Sequence, residues 1–141
     1  MGADIEELLE RPYWVIDILP MQVPADSPGR FFAVEQHVLA SPRIEVLAEH
    51  KLSLLLKLYC YYDLRISSDY GETWVDDPDP GDITRAMERE LYLLLPDEDV
   101  LITADPGDIY MTLYNATDDL LALVRQLATA EGLFVWQPPQ G

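Results

Sequence analysis

Basic residues are scarce in this 141-residue chain. Nine Lys and Arg stand against 26 Asp and Glu, for a formal net charge of −17. That scarcity argues against nucleic acid as a partner, because affinity for its backbone rests on Lys and Arg neutralising phosphates. Anionic membrane surfaces are disfavoured for the same reason. A single cysteine, Cys60, rules out an intrachain disulfide and leaves a thiol-metal site within one chain without ligands. No apolar run approaches the ~18 residues of a membrane span. The opening Met1-Gly2-Ala3-Asp4 has no positive region before an apolar one, so no signal peptide is expected. Glu6 stands where an acylation motif beginning at Gly2 wants Ser or Thr. A reducing cytoplasm is the expected compartment.

What is present is an ordinary globular complement, 49% hydrophobic and 10% aromatic in 16.1 kDa. A chain of this mass buries about two-thirds of its unfolded surface, enough for a core without staples. Length favours a single domain over 1–141, with 1–11 as a loose N-terminal helix capped by Asp4. Residues 13–19 read as a strand, interrupted only by Asp17. The proline-rich stretch 20–29 reads as loop. Helices are expected over 30–40 and 42–50, punctuated by Ser41-Pro42. Over 51–67, Leu52, Leu54, Leu56, Leu58, Cys60, Tyr62, Leu64 and Ile66 share one parity, which predicts a long strand with Cys60 facing the core.

An acidic loop follows at 68–82. Asp79-Pro80 then opens a helix whose face carries Ile83, Ala86 and Met87. Strands are expected at 91–95, 100–104 and 109–114, the last two flanking the turn Asp105-Pro106-Gly107-Asp108. Thr117 caps a final helix, with Asp118 and Asp119 at its positive end. Gly132 ends it, and a short strand runs to Trp136. The fold class predicted is α+β: an antiparallel or mixed sheet of five to six strands with helices packed on one face.

Two stretches carry a family likeness. Arg11-Pro12-Tyr13-Trp14-Val15-Ile16-Asp17, running to Phe31-Phe32-Ala33-Val34-Glu35, is one; Leu120 through Glu131-Gly132-Leu133-Phe134-Val135-Trp136 is the other. Together they resemble a group of small acidic proteins from gut clostridia and their relatives. The resemblance implies a bacterial, cytoplasmic, single-domain protein and carries over no catalytic residue.

No catalytic motif stands out. His37 and His50 fall on proposed helices with neither G-x-S-x-G nor H-E-x-x-H around them, and they read as helix-surface residues. Asp76, Asp77, Asp79 and Asp82 are the best metal candidates. A calcium loop started at Asp77 puts Gly81 at its fifth position, where a ligand is needed, so no metal is assigned. No cofactor motif occurs, and the chain reads as a non-enzyme.

Charge asymmetry is the strongest functional signal. Residues 66–119 hold 15 acids and only Arg85 and Arg89, a net −13 of the −17. The expectation is a binding protein of inhibitor or immunity type that presents an acidic face to a basic protein. That face would comprise Asp76, Asp77, Asp79, Asp97, Glu98, Asp99, Asp105 and Asp108, with Tyr70, Trp74 and Tyr110 as aromatic anchors. Plain solubility is the competing reading of the same charge. The alternative function is a small-molecule or anion-binding regulatory module on the outward parity of strand 51–67, through Lys57, Tyr59, Tyr61 and Arg65.

Overall fold

The computed structural model describes residues 5–19, 29–40 and 43–138. Within it, Leu47, Lys51, Leu54, Leu55 and Leu58 recur every three or four residues and are buried together. That is the spacing of one helix face. The segment expected to be a long strand is therefore mostly a helix, Arg43–Tyr59, and only Arg65–Ser67 of it is strand. The leucine-rich stretch satisfies both periods at once. Residues 51–62 contain no Val, Ile or Thr, and Leu and Lys favour helix, so composition leans to helix where periodicity is ambiguous, and packing against the sheet decides it. Two corrections follow. The separate helix expected at 42–50 is the first half of this one, and Cys60, expected in the core, lies just past its end and is exposed.

The described elements are α1 (Ile5–Leu9), β1 (Tyr13–Asp17), α2 (Gly29–Leu39), α3 (Arg43–Tyr59), β2 (Arg65–Ser67), β3 (Val75–Asp76), α4 (Pro80–Met87), β4 (Leu91–Leu95), β5 (Val100–Ala104), β6 (Tyr110–Tyr114), α5 (Asp118–Ala130) and β7 (Phe134–Trp136). The Asp4 cap, the loop at 20–28 and the break at Ser41-Pro42 lie outside the described residues. The seven strands form one sheet in the order β3-β2-β4-β5-β6-β1-β7, with each neighbouring pair antiparallel. This is an α+β arrangement with more strands than the five to six expected; β3 is the unforeseen one.

One sheet face carries Leu91, Leu93, Leu95, Val100, Ile102, Met111 and Leu113, all fully buried. They pack with Leu54, Leu55 and Leu58 of α3, Ile83 and Met87 of α4, and Leu120 and Val124 of α5. Helix α2 lies outside, against α3. The ends of α5 follow from its sequence. The Thr117 hydroxyl accepts from Leu120 N, and Gly132, at φ +76°, lets Leu133 N reach Ala128 O at 2.8 Å. That is a left-handed cap only glycine adopts without strain.

Not all helices share that face, contrary to expectation. The short α1 packs against β5 on the opposite side. Its Leu8 is fully buried, as is Leu101, and neither belongs to the main core cluster. The sheet thus has a second, smaller apolar layer under α1. Beyond that helix its outer face is lined by tyrosine and threonine.

Candidate functional site

Register places the outer-face residues. Tyr92, Thr103, Thr112 and Val15 stand side by side across β4, β5, β6 and β1. Tyr114 and Tyr110 flank this row on β6, two residues to either side of Thr112. Strands lie about 4.8 Å apart, so two short threonines side by side leave a low floor between taller tyrosine walls. The result is a concavity of about 300 Å³, lined among others by Leu9, Tyr92, Thr103, Thr112, Tyr110 and Tyr114. Glu90, Asp105 and Asp108 close one end of it.

The carboxylate end is held firmly. The turn between β5 and β6 is stitched by Asp108 N to Asp105 O at 3.1 Å and by Gly107 N to Asp105 Oδ1 at 2.8 Å. From below, the Lys51 ammonium donates to Asp105 O and to Asp108 O, each at 2.9 Å. Lys51 is only 1% exposed. Burial pushes its pKa down, and the nearby Asp108 and Asp105 charges offset part of that. Asp108 is pushed up by burial and then by the Asp105 charge, with Lys51 opposing. Carboxylates crowded this way are relieved by an arriving cation.

The other side is the 67–73 loop. The Ser67 hydroxyl accepts from Gly71 N at 2.8 Å, and Asp69 Oδ1 accepts from Thr73 N at 2.9 Å. Hydrogen bonds from the Thr73 and Ser67 hydroxyls and the Thr73 amide lower Asp69 to about 2. This frame holds Tyr70 at φ +60°, a region bulky residues rarely occupy. Such strain persists where surroundings enforce it and is found at functional sites. The Tyr70 ring meets Tyr92 edge-on, with centroids 5.8 Å apart. The neighbouring Glu90 and burial raise the pKa of its phenol. Tyr110 is raised by burial and by the charges of Asp108, Asp17 and Asp105.

The structure thus brings together Asp105, Asp108, Tyr70 and Tyr110 from the expected acidic face. It does not form that face as one surface. Asp97, Glu98 and Asp99 follow Leu95 at the opposite end of β4 and β5, a full strand length from Asp105. There Asp97 and Glu98 line a cleft with Tyr59, Tyr62 and Asp63, and the charges of Asp77 and Asp79 reach Tyr59. This second acidic pole sits at the negative end of the α3 dipole. Its tyrosines offer less than those of the first: Tyr59 and Tyr62 pack against the core, and the Tyr59 phenol donates to Pro78 O at 2.8 Å. Asp76 and Trp74 lie at the β3 edge. There Asp76 Oδ1 pairs with Arg65 Nη2 at 2.7 Å, and the Arg65 guanidinium sits 5.7 Å from the Trp74 ring centre.

The alternative face does not exist as expected, because its strand is a helix. Lys57 pairs with Glu131 of the α5 cap, Tyr59 turns to Pro78, Tyr61 is exposed past the helix, and Arg65 pairs across to β3. Those four side chains point to different places. Among the proposed metal ligands, Asp76 is engaged with Arg65, and Asp82 accepts from Asp79 N and pairs with Arg85. Among the described residues no group of three His, Cys, Asp or Glu side chains is placed to hold a metal. His50 bonds Glu131 at 3.0 Å. None of the helices described is long and apolar enough to cross a membrane.

Sequence reasoning missed Lys51, Glu90, Tyr92, Thr103, Thr112 and Tyr114. For Lys51 the signal was available: on a helical reading it is the one cation on a leucine stripe. The tyrosines are brought together only by strand register. No family model matches the chain, and no curated protein or solved structure matches it.

Proposed function

We propose that this chain is a non-enzymatic binding protein that docks a basic protein partner at the tyrosine-lined end of its sheet. The observation that carries this reading is the convergence of Glu90, Asp105 and Asp108 with Tyr92, Tyr110 and Tyr114 on one concavity. Tyrosine supplies large contact area at low entropic cost. A negative field steers cationic partners and raises their association rate. The strand-borne walls and the Lys51-braced turn keep this geometry ready before a partner arrives, which lowers the cost of binding.

The test compares two charge reversals, one at each pole: Asp105→Lys with Asp108→Lys, and Asp97→Lys with Glu98→Lys. Tagged protein is used to capture partners from its native host's lysate at about 50 mM and about 500 mM salt, where exposed charges are strongly screened. A basic protein retained in stoichiometric amount at low salt, released at high salt, lost with the first reversal and kept with the second is the expected result. Retention unchanged by the first reversal overturns the proposal. An empty eluate at both salts leaves the charge with a solubilising role alone.

A further inference from the structure

We infer that the concavity between β4 and β6 receives the guanidinium of a single arginine side chain. This rests on the docking reading above and specifies its central contact. Three features point to guanidinium rather than ammonium. First, the walls are aromatic side chains and one end is carboxylate, so a planar cation can stack and pair at once. Arg does both, whereas Lys is a compact, strongly hydrated point charge. Second, the threonine floor adds hydroxyl oxygens that can accept in-plane N–H donors. Third, the chain uses the same composite for its own arginine at the β3 edge. Arg65 sits over the Trp74 ring while its guanidinium pairs with Asp76. The concavity repeats that aromatic-plus-carboxylate pairing with no arginine among the described residues lining it.

A volume of about 300 Å³ is at the small limit of ligand pockets and suits one side chain, not a folded element. The carboxylates lie at one end and the rings along the sides. An arginine would therefore enter over Thr103 and Thr112 with its head toward Asp105 and Asp108 and its aliphatic stem along Tyr110 and Tyr114. The partner's backbone stays outside, so the site reads one residue and leaves the surrounding contact to charge.

The experiment is an amide NMR titration of the intact protein with N-acetyl-arginine amide and, separately, N-acetyl-lysine amide. The expected result is a saturable shift at Thr103, Thr112 and Tyr110 with arginine. Its dissociation constant should be lower than that of lysine by about fivefold, the size of one exposed cation–π contact. Tyr110→Leu, at a 41% exposed position, should abolish the arginine preference while its spectrum shows the fold intact. Equal shifts with both probes, or shifts confined to the 97–99 turn, overturn the inference. So does an arginine preference that survives Tyr110→Leu. The two proposals fail separately. Loss of partner capture on reversing Asp105 and Asp108 without any arginine preference would keep the docking pole and remove the arginine slot.

Discussion

Lys51 is the residue whose role depends most on its surroundings. Its stem lies on the leucine stripe of α3 and its ammonium bridges two carbonyls of the β5–β6 turn, 54 and 57 positions away. Replacing it with methionine keeps the volume but leaves those carbonyls short of a donor inside the protein. Removing one partner of a buried polar contact costs the other its desolvation. Lys51→Met is expected to lose about 3 kcal/mol in urea unfolding. A loss below about 0.5 kcal/mol, the level of a neutral surface change, would show that the bridge contributes nothing. The sequence marks this lysine as anomalous only once its segment is read as helix. Read as strand it falls on the solvent parity and draws no notice.

At the level of elements, the 67–73 loop shows how a short polar segment fixes a strained aromatic. Asp69 has a folded pKa near 2, below its ordinary 3.8. A depressed acid stabilises the folded loop fully above about 3.8, and that contribution is lost as pH falls through about 2. The Thr73 amide, which donates to Asp69, should therefore remain protected from hydrogen exchange at pH 3 and lose that protection below pH 2. Protection lost already at pH 4 would mean the carboxylate does not hold the loop. The helix α5 was readable from its caps and periodicity, because those signals are local. The segment 43–67 was not, because alternating leucines fit two periods and only packing against β4–β6 selects one.

The whole molecule carries −17, and part of that charge stands at two poles of the sheet. Self-repulsion in such a molecule weakens with screening. Raising salt from about 10 mM to about 500 mM cuts the screening length from about 30 Å to under about 5 Å. The melting temperature should rise by about 3–6 °C, equivalent to about 1 kcal/mol for a chain of this size. A flat or falling Tm would show that the poles are too far apart, or too well paired, for repulsion to matter. Salt should thus stabilise the free protein and weaken its docking, a pair of opposite responses that a purely solubilising charge would not produce.

Composition and local pattern by themselves determined the α+β class, the strands at 91–95 and 100–104, the turn at 105–108 and the capped C-terminal helix. Each depends on neighbours within a few residues. They also established the strong negative charge and placed Asp105, Asp108, Tyr70 and Tyr110 among the candidates. Tertiary structure decided the rest. It turned the leucine segment into a helix and set α1 on the second face of the sheet. It divided one acidic segment into two poles, because antiparallel strands carry successive turns to opposite ends. It also assembled the tyrosine walls, since Tyr92 and Tyr114 lie 22 residues apart and meet only through β5.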